Sequence, residues 1–281
     1  MEFDKIRIEN LEIYAYHGVF PDENEKGQKF FLNAILYTHT RKAGKSDDLT
    51  LSTNYGEVCE FMNTYVTGRV CKLLETVAEG LAEAVLLKFP HVAKLLLEIR
   101  KPDAPIAIPF ESVSVQIERG WHTAYIAFGS NMGNRDKYIE EAIRKIKEHA
   151  LCNATQVSSI LRTEPYGGQA EGEFLNGVLE MKTLLPPEEL LEVLNQIEAE
   201  AGRERTVHWG SRTLDLDILL YDEEVISTPK LTIPHIDMEN RDFVLEPLCE
   251  IAPFIRHPIT HKTIKQILDE LKATQETYAI K

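Results

Sequence analysis

Cysteine is scarce in this 281-residue chain, and its four copies, Cys59, Cys71, Cys152 and Cys249, stand singly with no C-x-x-C pair. That spacing excludes a disulfide framework or a zinc cluster and leaves buried, reduced thiols. Long apolar runs are missing too: none approaches the ~18–20 residues that a membrane-spanning helix needs. The opening segment, MEFDKIRIENLEIY, carries early acids and alternating apolar residues, unlike a secretory or transit peptide. Nor is there an excess of positive charge, since 31 Lys+Arg face 45 Asp+Glu for a formal net charge of −14. This balance excludes a nucleic-acid backbone as partner. With no span and no leader, no membrane partner is expected and the expected location is cytoplasmic. Glycine (15) and proline (13) are too few for a collagenous or low-complexity chain, and no internal repeat appears.

What is present is an ordinary globular composition, 27% charged and 43% hydrophobic. At roughly 100–150 residues per domain, the length predicts two domains. Acid is unevenly spread: residues 1–120 hold 14 Lys+Arg against 18 Asp+Glu, and residues 121–281 hold 17 against 27. An enzyme handling a polyanion in the second half would have to build its cationic site locally.

Hydrophobic periodicity orders residues 1–120 as ββααββ, a sheet-plus-helices unit of the α+β class. Strand-like runs cover residues 6–14, 29–38, 93–100 and 112–118, the second alternating only in part. Between them, one helical pattern spans 55–66, and another puts Leu74, Val77, Ala78, Leu81, Ala82 and Val85 on one face. The register restarts at Trp121, so the second domain is 121–281. Its pattern is a strand at 123–128, a helix capped by Asn134, strands at 155–163 and 175–183, a helix from Pro186-Pro187 to Gly202, the strand TLDLDILLY, and a last helix over 263–271.

The densest chemistry lies in GRERTVHWGSRTLDLDILLY. In a strand, Asp215 and Asp217 share a face, roughly 6.5–7 Å apart. They read either as a solvated face or as a pair holding a hard cation such as Mg²⁺, with positions open to phosphate oxygens. The opposite face, Leu214, Leu216, Ile218 and Leu220, is apolar, with Leu219 and Tyr221 continuing the acidic one. Arg203, Arg205 and Arg212 precede the pair, and a guanidinium fork matches phosphate geometry. Trp209 among them suits a stacked planar ligand better than a core. Downstream, Lys230, His235 and Arg241 can each hold phosphate. His257 and His261 are four apart, but the intervening Pro258 removes the helix that would pair them on a metal.

Together GSN, RTEPYG, EFLNG, the Arg loop with HWGSRTLDLDILLY, and LTIPHIDMENRDFVLEPL resemble the 6-hydroxymethyl-7,8-dihydropterin pyrophosphokinases, over essentially all of residues 122–281. The resemblance implies a ferredoxin-like domain that moves pyrophosphate from ATP, the co-substrate, to the pterin hydroxymethyl group, releasing AMP. It implies two Mg²⁺ on Asp215 and Asp217, and catalytic Arg203 and Arg212 with Arg205 nearby. Lys230, His235 and Arg241 would hold nucleotide phosphates, and Glu198 and Thr232 would contact ATP. A pterin pocket of Thr163, Phe174, Asn176 and Phe243 would be closed by Trp209. Departures are Phe174 where the family often has Tyr, Ser211 where it often has Pro, and Lys230 where it often has Arg.

In the first half, YAYHGVFPDENEKGQ, TNYGEV, LLETVAEGLA and IRKPDAPI are weak singly. In this order they resemble the dihydroneopterin aldolases over residues 4–119. That resemblance implies the tunnelling fold, subunits joined into rings (a tetramer or octamer through this domain), and sites between subunits. It makes Lys101 and Tyr55 the acid/base residues, puts Glu75 on the pterin's amino-pyrimidinone edge, and sets Glu23 at the substrate side-chain end, with no cofactor. Lys101 need form no Schiff base, because the dihydropterin C=N can take the electrons of the cleavage. The expected protein is bifunctional, the product of the first reaction being the substrate of the second. Two alternatives stay open: a first domain serving only for oligomerisation, or acting mainly as an epimerase.

Overall fold

The computed structural model describes residues 2–164, 172–202 and 212–279. The chain divides into two compact units, Met1–Trp121 and His122–Lys281.

The first unit contains β1 (Asp4–Ala15), α1 (Pro21–Lys26), β2 (Gln28–Thr38), α2 (Arg41–Ser46), α3 (Tyr55–Thr67), α4 (Leu74–Lys88), β3 (Lys94–Lys101) and β4 (Val113–Gly120). The four strands form one antiparallel sheet in the order β1-β2-β3-β4. Burial along β2 alternates strictly: Phe30, Leu32, Ala34, Leu36 and Thr38 face inward. The alternation is blurred in sequence because Phe31, Ile35 and Tyr37, on the opposite face, are apolar as well. Val58, Met62 and Val66 of α3 and Val77, Ala78, Leu81, Ala82, Val85 and Leu86 of α4 close one side of the sheet. Asn54 caps α3, its side chain accepting from Gly56 N and Glu57 N. The short α1, opened by Pro21 and ended by Gly27 at φ 68°, lies between the first two strands in sequence.

The second unit runs β5 (His122–Ser130), α5 (Arg135–Glu148), β6 (Cys152–Val157), β7 (Leu161–Thr163), β8 (Phe174–Thr183), α6 (Pro187–Glu200), β9 (Asp215–Tyr221), β10 (Ile226–Ser227), β11 (Thr232–Ile233), α7 (Asp242–Ile251) and α8 (Ile264–Ala279). The main sheet is antiparallel in the order β6-β8-β5-β9, with β7 also on β8. Reading βαββαβ in the spatial order fourth, first, third, second, it is ferredoxin-like. Helices α5 and α6 cover one face through Ile139, Ala142, Ile146, Leu190, Leu194 and Ile197. Helices α7 and α8 cover the other through Val244, Leu245, Leu248, Ile264, Ile267 and Leu268.

Three differences from the sequence reading have physical causes. The single strand over 155–163 is two, because between Val157, paired with Leu179, and Leu161, paired with Asn176, the chain has one residue more than β8 and the ladder is interrupted. Helix α7, carrying Pro247 inside it, is absent from the periodicity reading. In β9 the register shifts between Ile218 and Leu220, so the apolar alternation does not run on: Leu219 and Leu220 both pack toward α7 and α8, whereas Tyr221 joins the opposite core. Among the described residues, no helix is long and apolar enough to cross a membrane.

Candidate active sites

In the second unit the site forms where β5, β8 and β9 lie side by side. Gly129 of β5 is paired with Asn176 of β8 on one side and with Asp215 of β9 on the other. A Cβ at Gly129 would stand 2.8 Å from Asn176 Oδ1 and 4.0 Å from Asp215 Cβ, so only glycine leaves that floor open. Asn176 Nδ2 donates to Thr163 Oγ1 at 2.8 Å, joining two of the three described strand residues expected to line a pterin pocket. The third, Phe174, begins β8 and pairs with Thr163 across the strands. A Gly129→Ala chain is expected to raise the KM for the pterin about tenfold, equivalent to about 1.4 kcal/mol, with its thermal unfolding little changed. Initial rates at saturating ATP test this.

Asp215 and Asp217 project to one side of β9, as alternate strand residues must. Burial pushes the Asp217 carboxyl up and the neighbouring Asp215 charge adds to this; His235, Arg241 and Arg212 pull it back. Two hard oxygen donors whose mutual repulsion is only partly relieved fit a divalent cation. Among the described residues no group of three or more His, Cys, Asp or Glu is placed to hold a metal ion, so ligands beyond the two carboxylates would be substrate oxygens or water. Arg212 Nη1 is ion-paired with Asp215 Oδ2, and His235 Nε2 lies 3.8 Å from Asp217 Oδ2. Arg241 is held by Asp237, Nε to Oδ2 at 2.8 Å, and its guanidinium lies 5.9 Å from the Phe243 ring.

Glu198, 3% exposed at the end of α6, accepts the Leu216 N–H at 2.7 Å and so braces the strand carrying the two aspartates. Thr232 is exposed in β11, and Lys230 is exposed just before that strand. Arg203, Arg205, Trp209 and Ser211 lie outside the described residues. Two residues that sequence reasoning left without a role fix the end of the Arg loop. Asn131 Oδ1 accepts from Arg212 N at 2.7 Å while Asn131 N donates to Arg212 O at 3.1 Å, and Ser130 Oγ donates to Thr213 O at 2.5 Å. The G-S-N motif was the available signal: its three residues supply the floor and the two clamps. Asp237 was also missed, since its role is visible only once Arg241 is seen four residues away in space as in sequence.

In the first unit the centre is a buried ion pair. Lys101 ends β3 and Glu23 sits in α1, 8% and 7% exposed. Lys101 Nζ donates to Glu23 Oε1 and, at 3.3 Å, to the His17 carbonyl. Glu23 also accepts from Phe20 N at 3.0 Å and from Gln28 Nε2 at 3.2 Å. Burial alone would raise the Glu23 carboxyl, but the Lys101 bond, the Phe20 N–H, the Lys101 charge and the Gln28 amide outweigh it and hold it below the ordinary glutamate range. Gly18, at φ 153°, leaves the space this carboxylate occupies, since a Cβ there would overlap it. Tyr55 begins α3 at 65% exposure and Glu75 is exposed in the first turn of α4. No hydrogen bond or ion pair among the described residues joins either to the Glu23–Lys101 pair. The structure therefore brings together two of the four residues expected in this site.

Comparison with known proteins gives one family match for each unit. Residues 125–253 match the family model of 7,8-dihydro-6-hydroxymethylpterin-pyrophosphokinase, and residues 6–118 that of dihydroneopterin aldolase. The 2-amino-4-hydroxy-6-hydroxymethyldihydropteridine pyrophosphokinase of Bacillus subtilis is 49% identical over 137 residues, covering 49% of this chain and 82% of that enzyme. The folic acid synthesis protein fol1 of Schizosaccharomyces pombe is 31% identical over 95% of this chain, which spans only 37% of that longer protein. Among solved structures, E. coli dihydroneopterin aldolase in complex with neopterin is 32% identical, covering 42% of this chain and 99% of that one, with a TM-score of 0.39.

Proposed function

We propose, since this chain belongs to the 7,8-dihydro-6-hydroxymethylpterin-pyrophosphokinase family and carries a dihydroneopterin aldolase unit ahead of that domain, that its two units catalyse consecutive steps on one pterin. That it is a bifunctional folate-biosynthesis enzyme, aldolase plus pyrophosphokinase, follows from the two matches and from fol1 relatives aligned over nearly the whole chain. The finer reading assigns chemistry to residues. In the first unit the bond between the first and second side-chain carbons of 7,8-dihydroneopterin breaks, its electrons passing to the ring C=N, and glycolaldehyde leaves. Lys101, poised on Glu23, moves the proton between side-chain oxygen and carbon. Tyr55 assists and Glu75 anchors the ring edge by two parallel hydrogen bonds. That Tyr55 stands exposed and apart from Lys101 supports a site completed by a second copy in a ring, a tetramer or octamer.

In the second unit the hydroxymethyl oxygen of the product attacks the β-phosphorus of ATP, and AMP leaves. Mg²⁺ bound by Asp215 and Asp217 would neutralise phosphate charge. Around it His235, Arg241 and Lys230 hold phosphate oxygens, Arg212 and Arg203 follow the transferring group, and Arg205 supports them. Thr163, Asn176, Phe174, Phe243 and Trp209 orient the pterin, and Glu198 and Thr232 meet ATP. Such a transfer needs positioning and charge neutralisation more than covalent chemistry. The observation that carries this reading is the carboxylate pair of β9 facing Arg212, His235 and Arg241 within a chain whose net charge is −14. The cationic site is built locally. A cytoplasmic location accords with it.

Incubation with 7,8-dihydroneopterin, ATP and Mg²⁺ is expected to yield glycolaldehyde and AMP. Omitting ATP should leave glycolaldehyde alone. AMP formed only from added 6-hydroxymethyl-7,8-dihydropterin would make the first unit an oligomerisation module, and accumulation of an epimer without glycolaldehyde would make it an epimerase.

A further inference from the structure

Among the described residues of the first unit, His17 is the one buried charged-type side chain to which the proposed aldolase chemistry gives no part. It is 1% exposed, follows β1, and packs edge-on against Phe30 with ring centroids 5.5 Å apart. Its Nδ1 accepts from Cys71 N at 3.1 Å, so Nδ1 carries no proton and the ring is neutral with its proton on Nε2. One residue on, Gly18 N donates to Cys71 O at 3.0 Å. The segment after β1 is thus clipped at two points to the segment that leads into α4. From that clip, the His17 carbonyl reaches Lys101 Nζ at 3.3 Å, and Gly18 makes the space for the Glu23 carboxylate. Burial, with the Lys101 and Arg69 charges, holds the imidazole below the ordinary histidine range against the opposing Val66 carbonyl, consistent with a neutral ring.

We infer that His17 is a positioning residue of the aldolase reaction: through its bond to Cys71 it holds the carbonyl and the neighbouring glycine that aim the Lys101 ammonium and seat Glu23. Its side chain acts at one remove, bonded to Cys71 N, while only its backbone carbonyl meets the Lys101 ammonium. Its effect falls on the turnover of bound substrate, because what it fixes is the direction of Lys101 and not the pterin ring. The inference rests on the aldolase reading of this unit.

The test compares His17→Phe, His17→Gln and His17→Asn in the full chain, following glycolaldehyde release, with AMP formation from added 6-hydroxymethyl-7,8-dihydropterin as an internal control. Asn can place its Oδ1 where Nδ1 stands; Gln reaches past that point and Phe offers no acceptor. His17→Phe and His17→Gln are expected to lower the aldolase kcat about tenfold with KM changed less than twofold. His17→Asn should recover to within about threefold of the parent, and AMP formation should stay unchanged in all three. If His17→Phe does not fold, the Gln and Asn variants decide alone. Equal kcat in Gln and Asn chains, or a loss carried entirely by KM, overturns the positioning role while leaving the aldolase reading intact. A parent chain that releases no glycolaldehyde overturns both.

Discussion

An Asp215→Asn or Asp217→Asn chain is expected to lose AMP formation by about 10³-fold or more, equivalent to about 4 kcal/mol of transition-state stabilisation, while still releasing glycolaldehyde. The size follows from the metal-holding role proposed for each carboxylate. An amide removes a full negative charge and one anionic ligand from a pair placed side by side on β9, and a metal-assisted transfer depends on that charge for several kcal/mol. The fold should tolerate the change. Asp217 is held partly against its own ionisation by burial and by Asp215, so neutralising Asp217 relieves repulsion and the unfolding midpoint should hold or rise. Neutralising Asp215 relieves the same repulsion but gives up its Arg212 ion pair, so that midpoint should change little. That separates the metal reading from a structural one, in which activity and stability would fall together. Calorimetric titration with Mg²⁺ and a non-hydrolysable ATP analogue supplies the second readout: the parent should bind both, and the asparagine chains should bind the nucleotide with little dependence on Mg²⁺. Asparagine chains that formed AMP at the parent rate would remove the metal role from these residues.

Much of the frame was readable from the amino-acid pattern. The order of strands and long helices in the first unit follows from periodicity, because α4 presents a clean helical stripe and β3 alternates in burial along its length. Where reading stopped, the missing information was three-dimensional. The register shift at Leu219 turns an apparent alternation into two faces, and no composition signal marks a bulge in a run of leucines. Helix α7 carries a proline at a position that pattern rules treat as a stop, yet its Val244, Leu245 and Leu248 are driven into the core against α8.

At the sites the division is similar. Asp215, Asp217, His235 and Arg241 declare themselves by residue type, because acids in a strand and a cluster of cations need a reason. Gly129, Asn131 and Ser130 do not, since a glycine's value is the void it leaves and a clamp is defined by what lies 81 and 83 residues away. Glu23 was visible only through family resemblance. A carboxylate in a turn-rich segment reads as solvated, and only the fold shows it buried against Lys101.

That burial gives Lys101→Met two separable effects. Glycolaldehyde release should fall by about 10³-fold, the loss of a positioned proton carrier amounting to about 10²–10⁴ in rate, and AMP formation from added 6-hydroxymethyl-7,8-dihydropterin should continue. The second effect is on stability. Removing one partner of a buried ion pair leaves the other charge uncompensated, at a cost of about 3 kcal/mol, here at a carboxylate 7% exposed. Its pH dependence has a definite sign. Glu23 titrates below the ordinary glutamate range in the folded chain, so its ionised form contributes stability above the unfolded-state pKa, and that contribution is lost as pH falls through the folded-state value. Parent and Lys101→Met chains should therefore differ most in urea midpoint near neutral pH and converge in acid, where Glu23 is protonated in both. A Glu23→Gln, Lys101→Met double change should recover part of the neutral-pH stability without recovering turnover, because it removes the buried charge but not the need for a proton carrier. If the single change instead left glycolaldehyde release at the parent rate, Lys101 would be a structural lysine, and the proton would have to move through another group.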